Sequence, residues 1–159
     1  MPEHETLVQA VFSFDRIYLK DISFESPRCP QVFEEQDVKP KIDIQLDISH
    51  RSLDLAHRTY EVVLKATAIA KTVGETAYLV EVQQAGIFTI SGFPNEQLEQ
   101  ILEATCPNAL FPFLRETMSS VINNGGFPPL LLQPVNFDTM YQQKKVSENA
   151  KSADKSITH

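Results

Sequence analysis

The sequence predicts an α+β fold, with one four-stranded antiparallel sheet followed by C-terminal helices. Residues 42–49 alternate apolar and polar side chains, the pattern of a strand with one buried and one solvated face. After residue 94 the apolar period changes from two to about 3.6 residues, which is the period of a helix. Strands that precede helices are typical of an α+β fold rather than of a doubly wound parallel sheet.

Four segments have the alternation and the β-branched and aromatic content of strands. They are predicted at 8–19, 42–49, 60–71 and 77–90, and Gly74 supplies the turn between the last two. The residues in phase on one face of the first strand are Val8, Ala10, Phe12, Phe14 and Tyr18.

Residues 21–40 contain three prolines and are predicted to form a long crossover over the surface. The acidic residues of this segment are expected to form a solvated face, because the ligand spacing of a calcium-binding loop is missing. These residues are Glu34, Glu35 and Asp37.

Three helices are predicted after residue 94. The first is short and capped by Asn95, and the second runs from Asn108 to Asn123. Pro112 falls in the first turn of the second helix, where a missing N–H is tolerated, and Gly125 follows its end. Asn136 is expected to cap the third helix.

The composition changes near residue 147 to Ser, Ala, Lys, Asn and Asp, with only one apolar residue beyond the alanines. Such a segment cannot bury enough apolar area to offset the entropy of ordering the chain. We therefore expect one domain over residues 1–146 and a disordered tail over residues 147–159.

The charge and the hydropathy pattern exclude several classes of function. The chain has 159 residues, and 14 Lys and Arg against 21 Asp and Glu give a net charge of −7, which disfavours binding to nucleic acid. No apolar run approaches the roughly 20 residues that cross a bilayer, so membrane insertion is not expected. The N-terminal residues lack the basic and apolar regions of a secretory signal. Two isolated cysteines fit a reducing cytoplasm.

No catalytic, metal or cofactor site is predicted, and a binding protein is favoured over an enzyme. The glycine-rich loop that cradles nucleotide phosphates is missing. His50 and His57 lie seven residues apart in a predicted hairpin loop and are expected to be solvated rather than metal ligands. Cys106 is expected to be a structural thiol. An enzyme that uses Cys106 as a nucleophile with a distant histidine is the least favoured alternative.

Two segments have more apolar surface than one folded chain is expected to bury. The strand at 77–90 is expected to be apolar on both faces, so either another copy of the chain or the crossover covers the second face, and self-association is favoured. Residues 127–134 are apolar and interrupted by prolines. They either cap the core or form the wall of a groove, in which Phe127, Leu130 and Leu132 would contact the ligand.

Five short motifs occur in order between about residues 12 and 141. They are Tyr18-x-Lys20-Asp21-Ile22-Ser23-Phe24-Glu25, Tyr60-Glu61-Val62-Val63-Leu64, Glu81-Val82-Gln83-Gln84-x-Gly86-Ile87-Phe88, Cys106-Pro107-Asn108-x-Leu110-Phe111-Pro112 and Pro134-Val135-Asn136-Phe137-Asp138. Together these motifs resemble the SecB family of bacterial protein-export chaperones. The resemblance covers nearly the whole ordered chain, and several separate motifs in one order make it specific.

The resemblance implies a homotetramer, a dimer of dimers, that holds unfolded secretory precursors in apolar grooves without hydrolysing nucleotide and without a cofactor. It also implies delivery of these precursors to the motor ATPase SecA. By motif position, the surface that would bind SecA carries Asp21, Glu25, Leu79 and Glu81. The residues that match family positions affecting tetramer formation, and that are therefore predicted at the tetramer interface, are Val80, Val82 and Gln84.

Two other functions stay open on the sequence. A SecB-like chaperone with a different client, such as one that guards an antitoxin, would keep the fold but would not need SecA. A dimeric α+β module would instead bind one small apolar ligand in the groove formed by residues 127–134.

Overall fold

The computed structural model describes residues 9–35 and 39–156. Four long strands precede the helices, namely β1 (Val11–Glu25), β2 (Lys41–Asp54), β3 (Thr59–Thr72) and β4 (Glu75–Ser91). They form one antiparallel sheet in the order β1-β4-β3-β2, so β1 and β2 are the edge strands. The predicted four-stranded antiparallel sheet followed by helices is confirmed. Val8, the predicted start of the first strand, lies outside the described residues.

A continuous helical run of three parts follows the sheet. The parts are α1 (Asn95–Gln100), a π-helical segment (Ile101–Thr105) and α2 (Cys106–Asn124). The first two predicted helices are therefore not separate, because the Cys106 N–H donates to the Ile101 carbonyl and this wider turn continues the helix through Pro107. Pro112 consequently lies inside α2 rather than in its first turn. Asn95 begins α1 and makes no capping hydrogen bond.

The last helix, α3, spans Phe137–Ser156. Asn136 caps it as predicted, since the Asn136 Oδ1 accepts a hydrogen bond of 3.0 Å from the Thr139 N–H. Residues 147–156, part of the tail expected to be disordered over 147–159, continue α3, and the remainder of that tail lies outside the described residues. Ala, Lys and Glu are strong helix formers, so this polar segment can extend a helix that already exists. No helix in the described ranges combines the length and apolarity needed to span a membrane.

The helices cover one side of the sheet, called here the helix face, and the opposite side is the outer face. The even-numbered residues of β3 and of β4 from Tyr78 to Ile90 lie on the helix face. The core between the sheet and α2 includes Val62, Leu64, Val80, Val82, Phe88, Leu110, Leu114, Met118 and Ile122. The prediction that this strand is apolar on both faces is therefore wrong. β4 alternates regularly, and only Leu79 and Ile87 are large apolar residues on its outer face.

Two bulges interrupt the alternation of β1. Asp15 and Lys20 have no opposite residue in β4, and each shifts the phase of the residues that follow it. Tyr18, predicted on the same face as the first phenylalanines, lies on the outer face for this reason. The predicted end of the strand at Leu19 is also corrected, because pairing with β4 continues to Glu25.

Candidate functional site

A cavity of about 410 Å³ lies between the crossover that follows β1, the β3–β4 hairpin and the loop that follows α2. Its walls are mostly apolar, with Glu35 and Thr72 as the polar exceptions. The main apolar side chains in the wall are Phe33, Tyr78, Phe127, Pro128, Pro129 and Leu130. A concave apolar site of this size with few polar groups is typical of ligand-binding pockets.

Four aromatic rings form a contiguous cluster at this cavity. The ring centroid of Phe127 lies 4.9 Å from Tyr78, 5.3 Å from Phe33 and 6.3 Å from Phe24. Phe24 and Tyr78 are stacked with 6.1 Å between centroids. Burial raises the pKa of the Tyr78 hydroxyl. Phe33 remains 50% exposed, so the cluster presents an aromatic surface to solvent at its open side.

The glycines that follow α2 make room for two of these rings. A Cβ at Gly125 would lie 2.2 Å from the Cζ of Phe24, and one at Gly126 would lie 3.0 Å from the Cζ of Phe33. Gly126 also has a φ of +91°, which glycine adopts far more easily than other residues. Gly126, which follows the end of the helix, thus also lines the cavity.

Arg28 fastens the crossover to the β3–β4 hairpin beside the cavity. It pairs with Glu35, donates to the Thr76 carbonyl at 3.2 Å and to the Thr72 hydroxyl, and lies 3.5 Å from Glu75. The hydrogen bond from Arg28 is the main reason why the pKa of Glu35 is lowered. These contacts hold the segment that carries Phe33 against the sheet.

The acidic run predicted as a solvated face is corrected in part. Glu34 is exposed as expected, but Glu35 pairs with Arg28 and lines the cavity. The physical reason is that Arg28 supplies a cation seven residues earlier, which the local charge pattern does not reveal. Asp37 lies outside the described residues.

The structure brings two of the three predicted groove residues to the cavity. Phe127 and Leu130 line it, whereas Leu132 is only 4% exposed and packs in the core. Leu132 is therefore corrected from a groove residue to a core residue, since the loop turns its side chain inward. The sequence interpretation missed Phe33 and Tyr78. The signal that could have found Phe33 is a large aromatic residue in a crossover otherwise rich in proline and charge.

The four residues predicted to bind SecA lie together on the outer face. Asp21 is opposite Gln83 and Glu25 is opposite Leu79, while Glu81 lies between them on β4. Asp21 and Glu25 are exposed, and Leu79 and Glu81 are half-buried. The Lys65 ammonium lies 3.6 Å from the Glu81 carboxylate on the neighbouring strand. The arrangement is an acidic surface around one leucine.

A buried carboxylate lies farther along the same outer face. Glu61 accepts hydrogen bonds from Lys20 at 2.8 Å, from Arg51 at 3.0 Å and from the Tyr18 hydroxyl. Burial alone would raise the pKa of Glu61, but these three donors outweigh it and lower the pKa to about 2. Burial and the bond to Glu61 raise the pKa of Tyr18 to about 12. The carboxylate is therefore ionised and the phenol protonated around neutral pH.

The residues predicted at the tetramer interface are buried within the single chain, and their role in assembly stays a prediction. Val80 and Val82 have no exposed surface, and Gln84 is 4% exposed. All three lie on the helix face, where α2 of the same chain covers them. Val80 and Val82 are paired with the edge strand β1, where they lie opposite Phe24 and Ile22.

The edge strand β1 carries a group of exposed apolar side chains. Phe14 is 55% exposed, and Leu19 and Ile22 are also exposed. Their opposite residues in β4 belong to the helix face, so these side chains extend the apolar core beyond the edge that α2 covers. An exposed apolar edge strand is a site at which another chain can pair and pack.

The structure gives no support to the enzyme alternative. Cys106 is fully buried, and burial raises the pKa of its thiol to about 12. His50 lies in β2 and contacts Glu103 at 3.1 Å, whereas His57 lies beyond β2 and contacts Asp54 at 2.6 Å. In the part of the chain that the structure describes, no group of three His, Cys, Asp or Glu side chains is arranged to hold a metal ion.

Comparison with known proteins identifies the family of the chain. Residues 5–148 match the family described as preprotein translocase subunit SecB. The protein-export protein SecB of Nitrosococcus oceani is 47% identical over 148 residues, which cover 92% of this chain and 89% of that protein. The protein of the same name from Chromobacterium violaceum is 49% identical over 148 residues, covering 93% of this chain and 96% of that protein.

A solved structure has the same fold. A SecB-like chaperone of Mycobacterium tuberculosis, in complex with a peptide from an antitoxin, superposes with a TM-score of 0.66 at 16% identity. The match covers 78% of this chain and 90% of that chain. On its sequence and its fold, the chain belongs to the SecB family of protein-export chaperones, which are not enzymes.

Proposed function

We propose that this chain is an ATP-independent holdase of the cytoplasm that binds unfolded secretory precursors, keeps them competent for translocation and delivers them to SecA. The observation that carries the proposal is the half-open aromatic cavity built from Phe33, Tyr78 and Phe127 in a chain of the SecB family. An unfolded precursor exposes the apolar side chains that such a surface shields.

The energetics of the cavity favour promiscuous binding. Burying one large apolar side chain of a client contributes roughly 1.5 to 3 kcal/mol and requires no particular sequence. Ordering the client chain costs much of this gain, so one cavity holds a client weakly. Several cavities that engage one long chain would bind it tightly through effective concentration.

A homotetramer, a dimer of dimers, would supply those cavities. The exposed apolar side chains Phe14, Leu19 and Ile22 on an edge strand support association through β1. We infer that Val80, Val82 and Gln84 act on assembly through β1, since in β4 they lie opposite Phe24, Ile22 and Leu19 of that strand. Gln84 also donates to the Tyr18 carbonyl of β1 at 3.0 Å.

The acidic outer face would bind SecA. Asp21, Glu25 and Glu81 would attract basic groups, and the half-buried Leu79 would add apolar contact at the centre. Charged surfaces of this kind raise association rates, and the effect decreases as salt screens it. The client cavity lies on the other side of the sheet, because its residue Tyr78 is on the helix face and Leu79 is on the outer face, so a precursor and SecA could bind at the same time.

The proposal is tested by the refolding of a slowly folding precursor. We expect the wild-type chain to arrest refolding at one tetramer per precursor without ATP, and to bind SecA. The double variant Asp21→Asn/Glu25→Gln should arrest refolding equally well but bind SecA weakly. An unchanged refolding rate with the wild-type chain would reject the holdase proposal. Native mass spectrometry that found a retained small molecule and only two subunits would favour the small-ligand alternative.

A further inference from the structure

The bulge at Lys20 decides which face of the sheet carries the acidic residues of β1. Leu19 is opposite Gln84 and Asp21 is opposite Gln83, so Lys20 is the extra residue. A bulge places two consecutive side chains on the same side of the strand. Lys20 and Asp21 accordingly both lie on the outer face.

Removing the bulge would turn these acids toward the core. With Leu19 still opposite Gln84, a regular strand would put Asp21 opposite Val82 and Glu25 opposite Tyr78. Both of those β4 residues lie on the helix face. The acidic surface would then lose Asp21 and Glu25 while the sequence kept both.

Contacts from two other strands hold the bulge in place. Glu61 of β3 is 5% exposed, and it accepts hydrogen bonds from the bulge residue Lys20 at 2.8 Å and from Tyr18. On the other face, the Gln84 side chain donates to the Tyr18 carbonyl at 3.0 Å. If Lys20 moved away, the buried Glu61 carboxylate would lose one of its two cations and keep only Arg51 at 3.0 Å, which is unfavourable for a buried charge, so the pair between Lys20 and Glu61 favours this position of the extra residue.

We propose that Lys20 and Glu61 are positioning residues for the acidic outer face: their ion pair holds the bulge that points Asp21 and Glu25 outward. The inference rests on the proposed role of this face in binding SecA. It assigns a function to two residues that are not themselves expected to contact SecA.

The decisive variant is Lys20→Met, because simple charge attraction and the positioning role predict opposite results. The substitution removes a positive charge, so charge attraction alone would make a basic surface of SecA bind more tightly. The positioning role predicts about tenfold weaker binding, because the register shift removes two carboxylates from the surface. Arg51→Gln is the matched control. It removes the same charge and another donor to Glu61 but leaves the bulge residue in place, so SecA affinity should be unchanged or higher.

Two further measurements make the test independent of simple unfolding. Glu61→Gln should weaken SecA binding as Lys20→Met does, and the double variant should be no weaker than either single one. Circular dichroism of wild-type amplitude in all variants shows that the chain is folded, and precursor binding is not used as the control, because the shift would also turn Phe24 away from the aromatic cluster. A crystal structure of Lys20→Met should show Asp21 no longer opposite Gln83.

The outcomes separate this inference from the proposed function. SecA binding to Lys20→Met that is as tight as wild-type binding, or an unchanged pairing of Asp21 with Gln83, would overturn the positioning role. If the wild-type chain does not bind SecA, the proposed function fails, and the strand pairing in Lys20→Met still decides whether the ion pair holds the bulge.

Discussion

Phe24 and Gly125 are packed so closely that the glycine has no room for a side chain. A Cβ on Gly125 would lie 2.2 Å from the Cζ of Phe24. The backbone of Gly125 has an ordinary helical φ of −73°, so the requirement at this position is steric rather than conformational. A glycine after the last turn of α2 therefore allows the Phe24 ring of the aromatic cluster to pack directly against the backbone.

Gly125→Ala is expected to reduce both stability and client binding. The new methyl group must displace the Phe24 ring, and overpacking of this kind costs about 1 to 3 kcal/mol. Because Phe24 packs on Tyr78 and Phe127, the cavity should change shape and bind precursor peptides several-fold more weakly. Calorimetric unfolding and peptide titration would measure the two effects.

Gly74→Ala is the control for this prediction. Gly74 has a φ of +76° in the β3–β4 turn, and a Cβ there would meet no atom within 4 Å. Backbone strain should cost about 1 kcal/mol without any effect on peptide binding. Peptide affinity that is equal in wild type and Gly125→Ala would contradict the link between α2 and the cavity.

Phe33→Ala is expected to weaken client binding with little loss of stability. Its ring is 50% exposed and lines the open side of the cavity, so it contributes more to a bound chain than to the core. We expect several-fold weaker binding of a precursor peptide in fluorescence titration. Leu131→Ala is the matched control, because Leu131 is 68% exposed on the loop after α2 but does not line the cavity. Equal losses in both variants would argue against the cavity as the binding site.

The ionised Glu61 makes stability depend on pH at both ends of the scale. The pKa of Glu61 is lowered from 4.5 to about 2 on folding, so its contribution is present above pH 4.5 and disappears as pH falls toward 2. The pKa of Tyr18 is raised from 10 to about 12, so its contribution is present below pH 10 and disappears as pH rises toward 12.

Glu61→Gln should therefore lower the free energy of unfolding by about 1 to 3 kcal/mol at pH 7 and by roughly half as much at pH 3, within the range in which the contribution is being lost. Urea denaturation at the two pH values measures the difference. Glu99→Gln, which alters an exposed carboxylate of α1, should change neither value appreciably. A Glu61→Gln deficit of the same size at pH 7 and pH 3 would show that the carboxylate charge is not the cause.

The sequence predicts the order and type of the main elements but not the phase of β1. Apolar residues on the helix face change from even to odd numbers after Asp15 and back after Lys20. A prediction that requires unbroken alternation of apolar and polar residues therefore ends the strand too early and assigns Tyr18 to the wrong face. In β4, by contrast, the alternation from Tyr78 to Ile90 is unbroken, and that strand is predicted almost to its ends.

The candidate site was predictable only where its residues are close in sequence. Phe127 and Leu130 stand out in an apolar loop, and the family motifs place Asp21 and Glu25. Phe33 and Tyr78 reach the same cavity only through the fold, since Arg28 pins the crossover to the hairpin. The inward turn of Leu132 likewise depends on packing that no local pattern contains.

Assembly through β1 gives the last prediction, which concerns the solution mass. Phe14 is the most exposed of the large apolar residues on β1, and a mass near four times the 17.9 kDa of one chain is expected for the wild type. Phe14→Ser removes apolar area at this edge and should shift the mass toward smaller species at low micromolar concentration. Leu55→Ser is the control, because Leu55 is 73% exposed in the β2–β3 turn and away from that edge. Sedimentation measures the mass, and circular dichroism verifies that both variants fold. If Phe14→Ser stays folded at the full mass, or the wild type is a single copy, β1 is not the surface that joins the subunits.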